Sequence, residues 1–324
     1  MSIVKIGKFT FEYPVFPAPM CGIMDAPFRA MLSKFGTPLL FTEMIASHAT
    51  ILDCRKTYVQ KAMQKENNNI PFAIQIAGCD PAIMAEAVKI AADLGADIID
   101  INFGCPVKKI VNNFAGAALM KDEKLATDII KSVSITAKRI NIPITIKMRM
   151  GWDEQHKNAP NITKIAEAEG ISAVTIHCRT RNQLYNGKAD WTFARILKNS
   201  VNIPIIVNGD INLQNLDIAL EQSLADGAMI GRALYGKPWL IADCYSHLQK
   251  TNTTHKPTNL WMDCIEEHIN RIFNFYPISN AIGFAIKNLY FYSQNISGGA
   301  KFRNTISKCN TKQEILSVAR NFFI

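Results

Sequence analysis

The chain has 324 residues, of which 48% are hydrophobic and 19% charged, and its formal net charge is +9. This composition is typical of a globular protein with a large core, and no apolar run is long enough to span a bilayer. The first residues, MSIVKIGKFTFEYP, lack the features of a signal peptide, so we expect a cytoplasmic protein. The eight cysteines form no Cys-x-x-Cys pair, which argues against a zinc ribbon or a redox dithiol, and no metal site is predicted.

Eight short apolar runs punctuate the first 235 residues and alternate with stretches of helical periodicity. The predicted strands are Val15–Pro19, Leu39–Glu43, Phe72–Ile76, Ile98–Asn102, Ile144–Met148, Ala173–His177, Ile205–Asn208 and Ala228–Gly231. The predicted helices are Pro27–Phe35, Ser47–Met63, Pro81–Leu94, Lys124–Ile140, Ile162–Glu169, Thr192–Asn199, Leu213–Ser223 and Pro238–Leu248. Strands rich in Ile and Val that alternate with helices indicate parallel βα units.

An internal repeat supports this interpretation. Three of the strands are entered through the same phrase, which reads NIPFAI at 69–74, NIPITI at 141–146 and NIPIIV at 202–207. Eight such units close into a (β/α)8 TIM barrel, an α/β fold whose active site lies at the carboxyl ends of the strands. A doubly wound open sheet is the alternative, but an early G-x-G-x-x-G is missing.

The last quarter of the chain predicts a separate helical unit. Residues 250–257, KTNTTHKP, are polar and read as a linker, and apolar stripes then predict helices around 260–273 and 282–289. Thr311-x-x-Glu314 is a capping box that opens a last helix through Phe322. We therefore predict a barrel at 1–249, a linker at 250–257 and a small all-helical domain at 258–324. Nine basic and four acidic residues follow from Lys250 onward, which suits either a nucleic-acid partner or a solvated basic surface.

The stretch DINFGCPVKKIVNNFAGAALM, residues 100–120, is the first candidate for chemistry. A strand that ends in Gly104-Cys105-Pro106 delivers one thiol to a fixed place, because proline restricts its own backbone and that of the residue before it. Two lysines, an Asn pair and Gly116 follow, as in a mobile loop over an active site. The alternative is a buried structural cysteine in a long loop.

Polar and charged residues also end most of the other strands. The set includes Gln75, Asn102, Lys147, Arg149 and His177, with Lys147 and Arg149 on one side of their strand. So many polar groups at one mouth of a barrel favour a binding site over isolated structural residues. Asn208-Gly209-Asp210 and Gly231-Arg232 end the last two strands, where such barrels commonly bind phosphate, although ordinary βα turns are the alternative.

At these residues the chain resembles the tRNA-dihydrouridine synthase family, nearest its bacterial B-type branch. The phrases that carry the resemblance are APMCGIMDAPFR, FTEM, QIAG, DINFGCPVKKI, GAALM, IKMRMGW, TIHCRTR, NGDI, MIGRA and GKPW, which run in order through residues 18–239. Cys21 and Phe103 depart from the residues that the family more often has. Cys21 is therefore expected to alter packing beside the cofactor.

The resemblance implies an FMN enzyme that reduces the C5–C6 double bond of D-loop uridines in tRNA with electrons from NADPH. It implies hydride transfer from FMN N5 to C6 and a proton from Cys105 to C5. The cofactor-binding residues it implies are Pro19, Met20, Cys21, Gln75, Lys147, His177, Asn208, Gly209, Asp210, Gly231 and Arg232. Substrate binding is predicted for Asn102, Lys108, Arg149, Arg179, Arg181, Lys287 and Arg303. A monomer whose helical domain holds the tRNA is expected.

Two other functions remain open at this point. One is an FMN barrel oxidoreductase that acts on a free pyrimidine or another small enone, with a merely structural tail. The other is a catalytically silent tRNA-binding protein that keeps the fold. The basic tail and Arg179-Thr180-Arg181 favour RNA over a small substrate, and the presence of Cys105, Lys147 and His177 favours an active enzyme.

Overall fold

A nearly closed barrel of parallel strands dominates the computed structural model, which describes residues 3–47, 63–65, 67–251, 253–254 and 261–324. Its strands are β3 (Val15–Pro17), β4 (Leu40–Phe41), β5 (Ile45–Ala46), β6 (Phe72–Ala77), β7 (Ile98–Phe103), β8 (Ile144–Arg149), β9 (Ala173–His177), β10 (Ile205–Asn208) and β11 (Gly227–Ile230). The hydrogen-bonded order is β3-β11-β10-β9-β8-β7-β6-β4, with β5 continuing the place of β4 beside β6. Strands β3 and β4, at the two ends of this order, lie in contact. The predicted TIM barrel is confirmed.

Helices return the chain from one strand to the next. They are α1 (Ala26–Lys34), α2 (Pro81–Asp93), α3 (Lys108–Val111), α4 (Glu123–Arg139), α5 (Ala159–Glu169), α6 (Thr192–Lys198), α7 (Leu216–Ser223) and α8 (Leu240–Leu248). The side chains of Asp25, Asp80 and Asp122 accept backbone N–H groups at the starts of α1, α2 and α4, which fixes where these helices begin. The predicted helix at 47–63 lies outside the described residues except for its two ends, and so does half of the predicted linker.

A short amino-terminal hairpin, absent from the sequence prediction, closes one end of the barrel. Its strands β1 (Val4–Ile6) and β2 (Phe9–Phe11) pair antiparallel. Their buried side chains pack against the residues that fill the barrel interior, such as Phe16 and Ile206. Three-residue strands are too short to produce a readable period. This hairpin therefore forms a plug over the amino ends of the strands, and the carboxyl ends are the open side of the barrel.

The carboxyl-terminal residues form a helical unit that packs on the barrel. Its helices are α9 (Trp261–Phe275), α10 (Ile278–Tyr292), α11 (Gly299–Ile306) and α12 (Lys312–Phe323). Their common core also takes in Met31 and Trp239 from the barrel. The predicted capping box is confirmed, since Thr311 Oγ1 accepts the N–H of Glu314. Its second half differs, because the Glu314 carboxylate accepts the N–H of Asn310. Within the described ranges, no helix is long and apolar enough to cross a membrane.

Gly236 of the barrel lies against the backbone of the helical unit. Its φ is +66°, and a Cβ built there would lie 2.5 Å from the carbonyl carbon and oxygen of Phe291 in α10. We expect Gly236→Ala to destabilise the protein by about 2–4 kcal/mol, because left-handed strain adds to a backbone clash. Thermal unfolding measures this loss. Gly95→Ala is the matched control, since Gly95 has a φ of +90° and no atom within 4 Å of its Cβ position. Equal losses in the two variants would contradict the prediction.

Candidate functional site

A cavity of about 630 Å³ opens at the carboxyl ends of the barrel strands. All twelve residues predicted to be catalytic or cofactor-binding line it. They are Cys105 together with Pro19, Met20, Cys21, Gln75, Lys147, His177, Asn208, Gly209, Asp210, Gly231 and Arg232. Asn102 and Arg149, predicted to bind substrate, line it as well. The volume is that of a small-ligand pocket. The structure thus brings these residues to one place, while their individual roles stay predictions.

The position of Cys105 depends on a chain of buried hydrogen bonds that begins at Asp100. The Asp100 carboxylate accepts from Thr145 Oγ1 and from Gln75 Nε2, both at 2.6 Å. Asn102 Nδ2 donates to Gln75 Oε1 at 2.8 Å. Asn102 Oδ1 in turn accepts the N–H of Gly104 at 3.0 Å and that of Cys105 at 2.8 Å. The turn that carries the thiol is therefore held by three polar side chains of the barrel interior.

The surroundings of Cys105 keep its sulfur protonated. Burial raises the pKa of the thiol above its ordinary value, although the N–H of Val107 and the nearby charges of Arg149 and Lys147 pull in the opposite direction. The following chain folds back onto it, since Ala117 N donates to Cys105 O at 3.0 Å. A protonated thiol beside a cavity can act as a general acid.

Two nitrogen bases stand on the neighbouring strands. Burial, helped by the charge of Arg149, lowers the pKa of Lys147 to about 8, so this ammonium remains mostly charged at neutral pH. Its Nζ donates to Asn208 Oδ1 at 3.2 Å. Burial also lowers the pKa of His177 well below its ordinary value, with Arg149 and Lys147 adding to the effect. His177 is therefore a neutral imidazole that can exchange hydrogen bonds with a ligand.

Arg149 ties together two loops at the mouth of the cavity. Its guanidinium is buried, and its Nε donates to Gly104 O at 2.9 Å in the loop after β7. Its Nη1 donates to the carbonyl oxygens of Thr180 and Leu184, both at 2.8 Å, in the loop after β9. The side chain predicted to bind substrate thus also holds the two loops that flank the thiol.

Asp210 lies between two arginines. Arg179, only 1% exposed, donates to both carboxylate oxygens of Asp210, at 3.1 Å to Oδ1 through its Nη1. Arg232 Nη2 donates to Oδ1 at 2.9 Å. Burial alone would raise the pKa of Asp210, but the bonds from Arg179 outweigh it and lower the pKa. Arg179 also donates to the carbonyls of Asn186 and Gly187, so it holds the loop after β9 from within.

The remaining residues predicted to bind substrate lie outside the cavity wall. Lys108 is exposed on α3, and the guanidinium of Arg181 lies 4.5 Å from the ring centroid of Trp152. Lys287 Nζ donates to Gly22 O at 2.7 Å, and Arg303 Nη1 donates to Ser293 O at 3.4 Å. Lys287 and Arg303 therefore make contacts inside the protein, and substrate contact by either stays a prediction.

Sequence reasoning passed over several residues of the site. Tyr185 and Tyr235 line the cavity, and Asp100 anchors the hydrogen-bond chain behind it. Glu43, which accepts the N–H of Gly22 beside Cys21, supports the first loop. Asp100 lies in DINFGCP and Glu43 in FTEM, and an acidic side chain within or next to an apolar strand was the available signal in the sequence. Tyr185 lies in a loop without a period, where a sequence offers no comparable clue.

Among the described residues, no group of three or more His, Cys, Asp and Glu side chains could hold a metal ion.

A parallel barrel with a thiol, a buried ammonium and a neutral imidazole around one polar cavity defines an α/β-barrel enzyme. The model of one family, described as Dihydrouridine synthase (Dus), matches residues 16–323. The chain belongs to this family, as its sequence motifs predicted. A "Probable tRNA-dihydrouridine synthase" of Rickettsia bellii is 43% identical over 95% of this chain and 94% of its own length. A "tRNA-dihydrouridine synthase B" of Pseudomonas putida is 35% identical over 100% of this chain and 95% of its own length.

Solved structures agree on the fold alone. The old yellow enzyme homologue from Zymomonas mobilis has a TM-score of 0.54 at 12% identity and covers 80% of this chain and 95% of its own. A structure titled TcOYE with pHBA has a TM-score of 0.57 at 11% identity, over 85% of this chain and 97% of its own. At such identities the likeness shows a shared barrel.

Removing the carboxylate between the two arginines tests the buried ion pair. We expect Asp210→Asn to lower the free energy of unfolding by about 2–3 kcal/mol, because the buried Arg179 guanidinium loses its countercharge. This is below the cost of breaking a fully buried pair, since Asp210 is a third exposed. Urea unfolding measures the change. Glu86→Gln, which breaks the exposed pair with Lys89, should stay within about 0.5 kcal/mol of the wild type. A similar small change for Asp210→Asn would refute the prediction.

Proposed function

We propose that the protein is an FMN-dependent tRNA-dihydrouridine synthase that uses NADPH to reduce the C5–C6 bond of D-loop uridines in tRNA. The observation that carries the proposal is the Cys105 thiol, kept protonated by burial and held by Asn102 at the wall of a barrel-mouth cavity, in a chain of the dihydrouridine synthase family. The names of its relatives support tRNA as the substrate. The proposal includes a monomeric enzyme in the cytoplasm.

The cavity fits a flavin with a phosphate. Lys147 is a buried ammonium with three hydrogens to donate, and Asn208 Oδ1, at 3.2 Å, takes one of them. The other two hydrogens can be donated to an anionic or carbonyl-bearing edge of the flavin ring. Gln75 offers a second amide hydrogen beside the one that goes to Asp100. At the other end, the half-exposed guanidinium of Arg232 and the turn at Gly209 suit a phosphate. In this arrangement Pro19, Met20 and Cys21 would line the ring.

When bound, FMN supplies the hydride that NADPH provides and that reaches C6 of the uracil. Cys105 supplies the proton for C5, so that one hydride and one proton saturate the double bond. The thiol suits this role because burial favours its protonated form and because Asn102 fixes its backbone. Lys147 carries positive charge at the cavity wall, where it would stabilise negative charge on a bound cofactor.

The uridine has to leave the RNA stack to reach Cys105. A stacked, paired base is inaccessible to side chains inside a pocket, so the enzyme extrudes it or meets it already unpaired. The cavity opens between the loops that Arg149 joins, and exposed Lys108 lies on one of them. Lysine contacts to phosphate attract the RNA without reading its sequence.

Replacing the thiol tests the function directly. We expect purified Cys105→Ala to remain yellow with bound FMN and to lose most turnover on tRNA, by about 100-fold or more, because it lacks the general acid. The substrate is tRNA from a strain that makes no dihydrouridine of its own. Wild type and variant are each incubated with this tRNA and NADPH, and the dihydrouridine formed is measured by mass spectrometry.

The wild-type result decides between the functions. If the wild type forms no dihydrouridine in any tRNA but reduces a free pyrimidine or a small enone, the proposed substrate is wrong. If Cys105→Ala turns over tRNA at a rate close to that of the wild type, the assignment of Cys105 as the proton donor is wrong.

The raised pKa of Cys105 predicts the pH dependence of the step with RNA. The protonated thiol is the active form, so the rate should stay level through neutral pH and fall only on the alkaline side, above the ordinary pKa of a cysteine thiol. Stopped-flow oxidation of prereduced enzyme by tRNA measures it. Reduction of the enzyme by NADPH is followed in parallel, because Lys147, whose pKa is about 8, loses its charge in the same pH range and can change the rate of that step. A fall of the tRNA step centred near pH 7 would contradict the prediction.

A further inference from the structure

Four large apolar side chains stand exposed on the two loops that flank the cavity. Val107 (54% exposed) and Phe114 (72%) belong to the loop after β7, and Leu184 (40%) and Tyr185 (51%) to the loop after β9. We call these four residues the rim patch. Val107 and Tyr185 line the cavity itself. Arg149 joins the two loops through Gly104 O and Leu184 O, so the patch belongs to a single mouth.

Two residues of the rim patch have an unfavourable backbone conformation. Phe114 has a φ of +54° and Leu184 a φ of +52°. Bulky side chains seldom adopt this left-handed region, which suits Gly or Asn. Phe114 lies three residues after the last residue of α3, beyond Asn112 and Asn113, in a turn where helices commonly place a Gly or Asn in this conformation. An exposed apolar side chain at a strained position costs stability, and such costs concentrate at functional sites.

The two segments that carry the rim patch are basic. Neither residues 104–121 nor residues 178–189 contain an Asp or a Glu. Lys108, Lys109 and Lys121 of the first segment and Lys188 of the second are exposed. Lys121 and Arg181 lie on the ring of Trp152, with 4.0 and 4.5 Å to its centroid. Apolar and aromatic groups on segments that also carry cations suit a partner that has flat apolar faces and negatively charged groups beside them.

The cations of the helical unit are engaged differently. Arg271 pairs with Glu267 at 2.8 Å, and Arg320 pairs with Glu266 at 2.6 Å. Lys287 donates to Gly22 O of the barrel. Two of these three charges are paired with acids and the third meets a backbone carbonyl, whereas the two rim segments contain no Asp or Glu. The mouth therefore offers a polyanion cations that no acid of the same segments neutralises.

From these observations we propose that the rim patch is a stacking surface for RNA, on which Phe114 and Leu184 contact the faces of the nucleotides that flank the extruded uridine. The proposal rests on the proposed function. Extruding a base leaves its neighbours with exposed faces and loses stacking energy. Apolar side chains wedged at a base step replace part of that lost contact, and the surrounding lysines hold the phosphates.

Replacing the apolar groups by Asn, which tolerates a left-handed backbone, tests the proposal. We expect Phe114→Asn to lower kcat/KM for tRNA about tenfold, the effect of losing one aromatic contact with a base. Leu184→Asn should have a smaller effect in the same direction. Phe114→Tyr, which keeps the ring, should retain most of the activity. The melting temperature of Phe114→Asn should equal or exceed that of the wild type, because the substitution relieves strain.

Leu224→Asn is the matched control. Leu224 also has a φ of +54° and is 50% exposed, but it caps α7 next to the amino-terminal end of β11, away from the mouth. This variant should show wild-type kcat/KM for tRNA. Salt dependence separates apolar from ionic contact. Phe114→Asn should leave the slope of log kcat/KM against log salt unchanged, whereas Lys108→Gln should reduce it by about 0.7–0.9.

The outcomes separate this proposal from the proposed function. If the wild type makes dihydrouridine in tRNA and Phe114→Asn and Leu184→Asn match its kcat/KM, the rim patch does not contact RNA and a protein partner becomes its candidate occupant. If Leu224→Asn loses as much activity as Phe114→Asn, the effect is general and the proposal fails. If the wild type makes no dihydrouridine, the proposed function fails, and with it the RNA partner named here.

Discussion

The buried carboxylate of Asp100 sets the arrangement of the catalytic mouth. A carboxylate inside a barrel is costly unless hydrogen bonds satisfy it, and burial raises its pKa even with Thr145 and Gln75 as donors. Those bonds orient the Gln75 amide, which orients Asn102, which caps the turn at Cys105. The location of the thiol thus follows from the need to satisfy the hydrogen bonds of one buried carboxyl group three residues before the end of its strand.

The need to satisfy buried polar groups also explains how the loops at the mouth are held in place. The buried guanidinium of Arg149 satisfies itself with three backbone carbonyls from two loops, and that of Arg179 with Asp210 and two more carbonyls. Fixing these donors fixes the loops that carry Cys105 and Tyr185. A change in either arginine would therefore affect the shape of the mouth as well as its charge.

The helical unit supports the site as well as enlarging the surface. Tyr276 OH donates to Asp25 Oδ2 at 2.9 Å, and Lys287 Nζ donates to Gly22 O, so two helical residues hold the segment that follows Cys21. The N–H of Gly22 is bonded to Glu43 from the barrel side. This segment carries the residues that would line the flavin ring, and its position depends on both parts of the chain.

Much of this protein was readable from its sequence because local patterns repeat. The NIP phrases and the Ile- and Val-rich runs indicated the parallel barrel, and since parallel strands end at one mouth, Gln75, Lys147 and His177 could be placed together. Hydrogen-bond partners were not readable, because the alternation of a strand gives the side on which a residue lies but not its neighbour across the barrel. The roles of Arg149 and Lys287 inside the protein, the hairpin plug and the rim patch of Phe114 and Leu184 depend on residues far apart in the chain, and only the folded structure decides which distant groups satisfy a buried charge and which apolar side chains remain exposed.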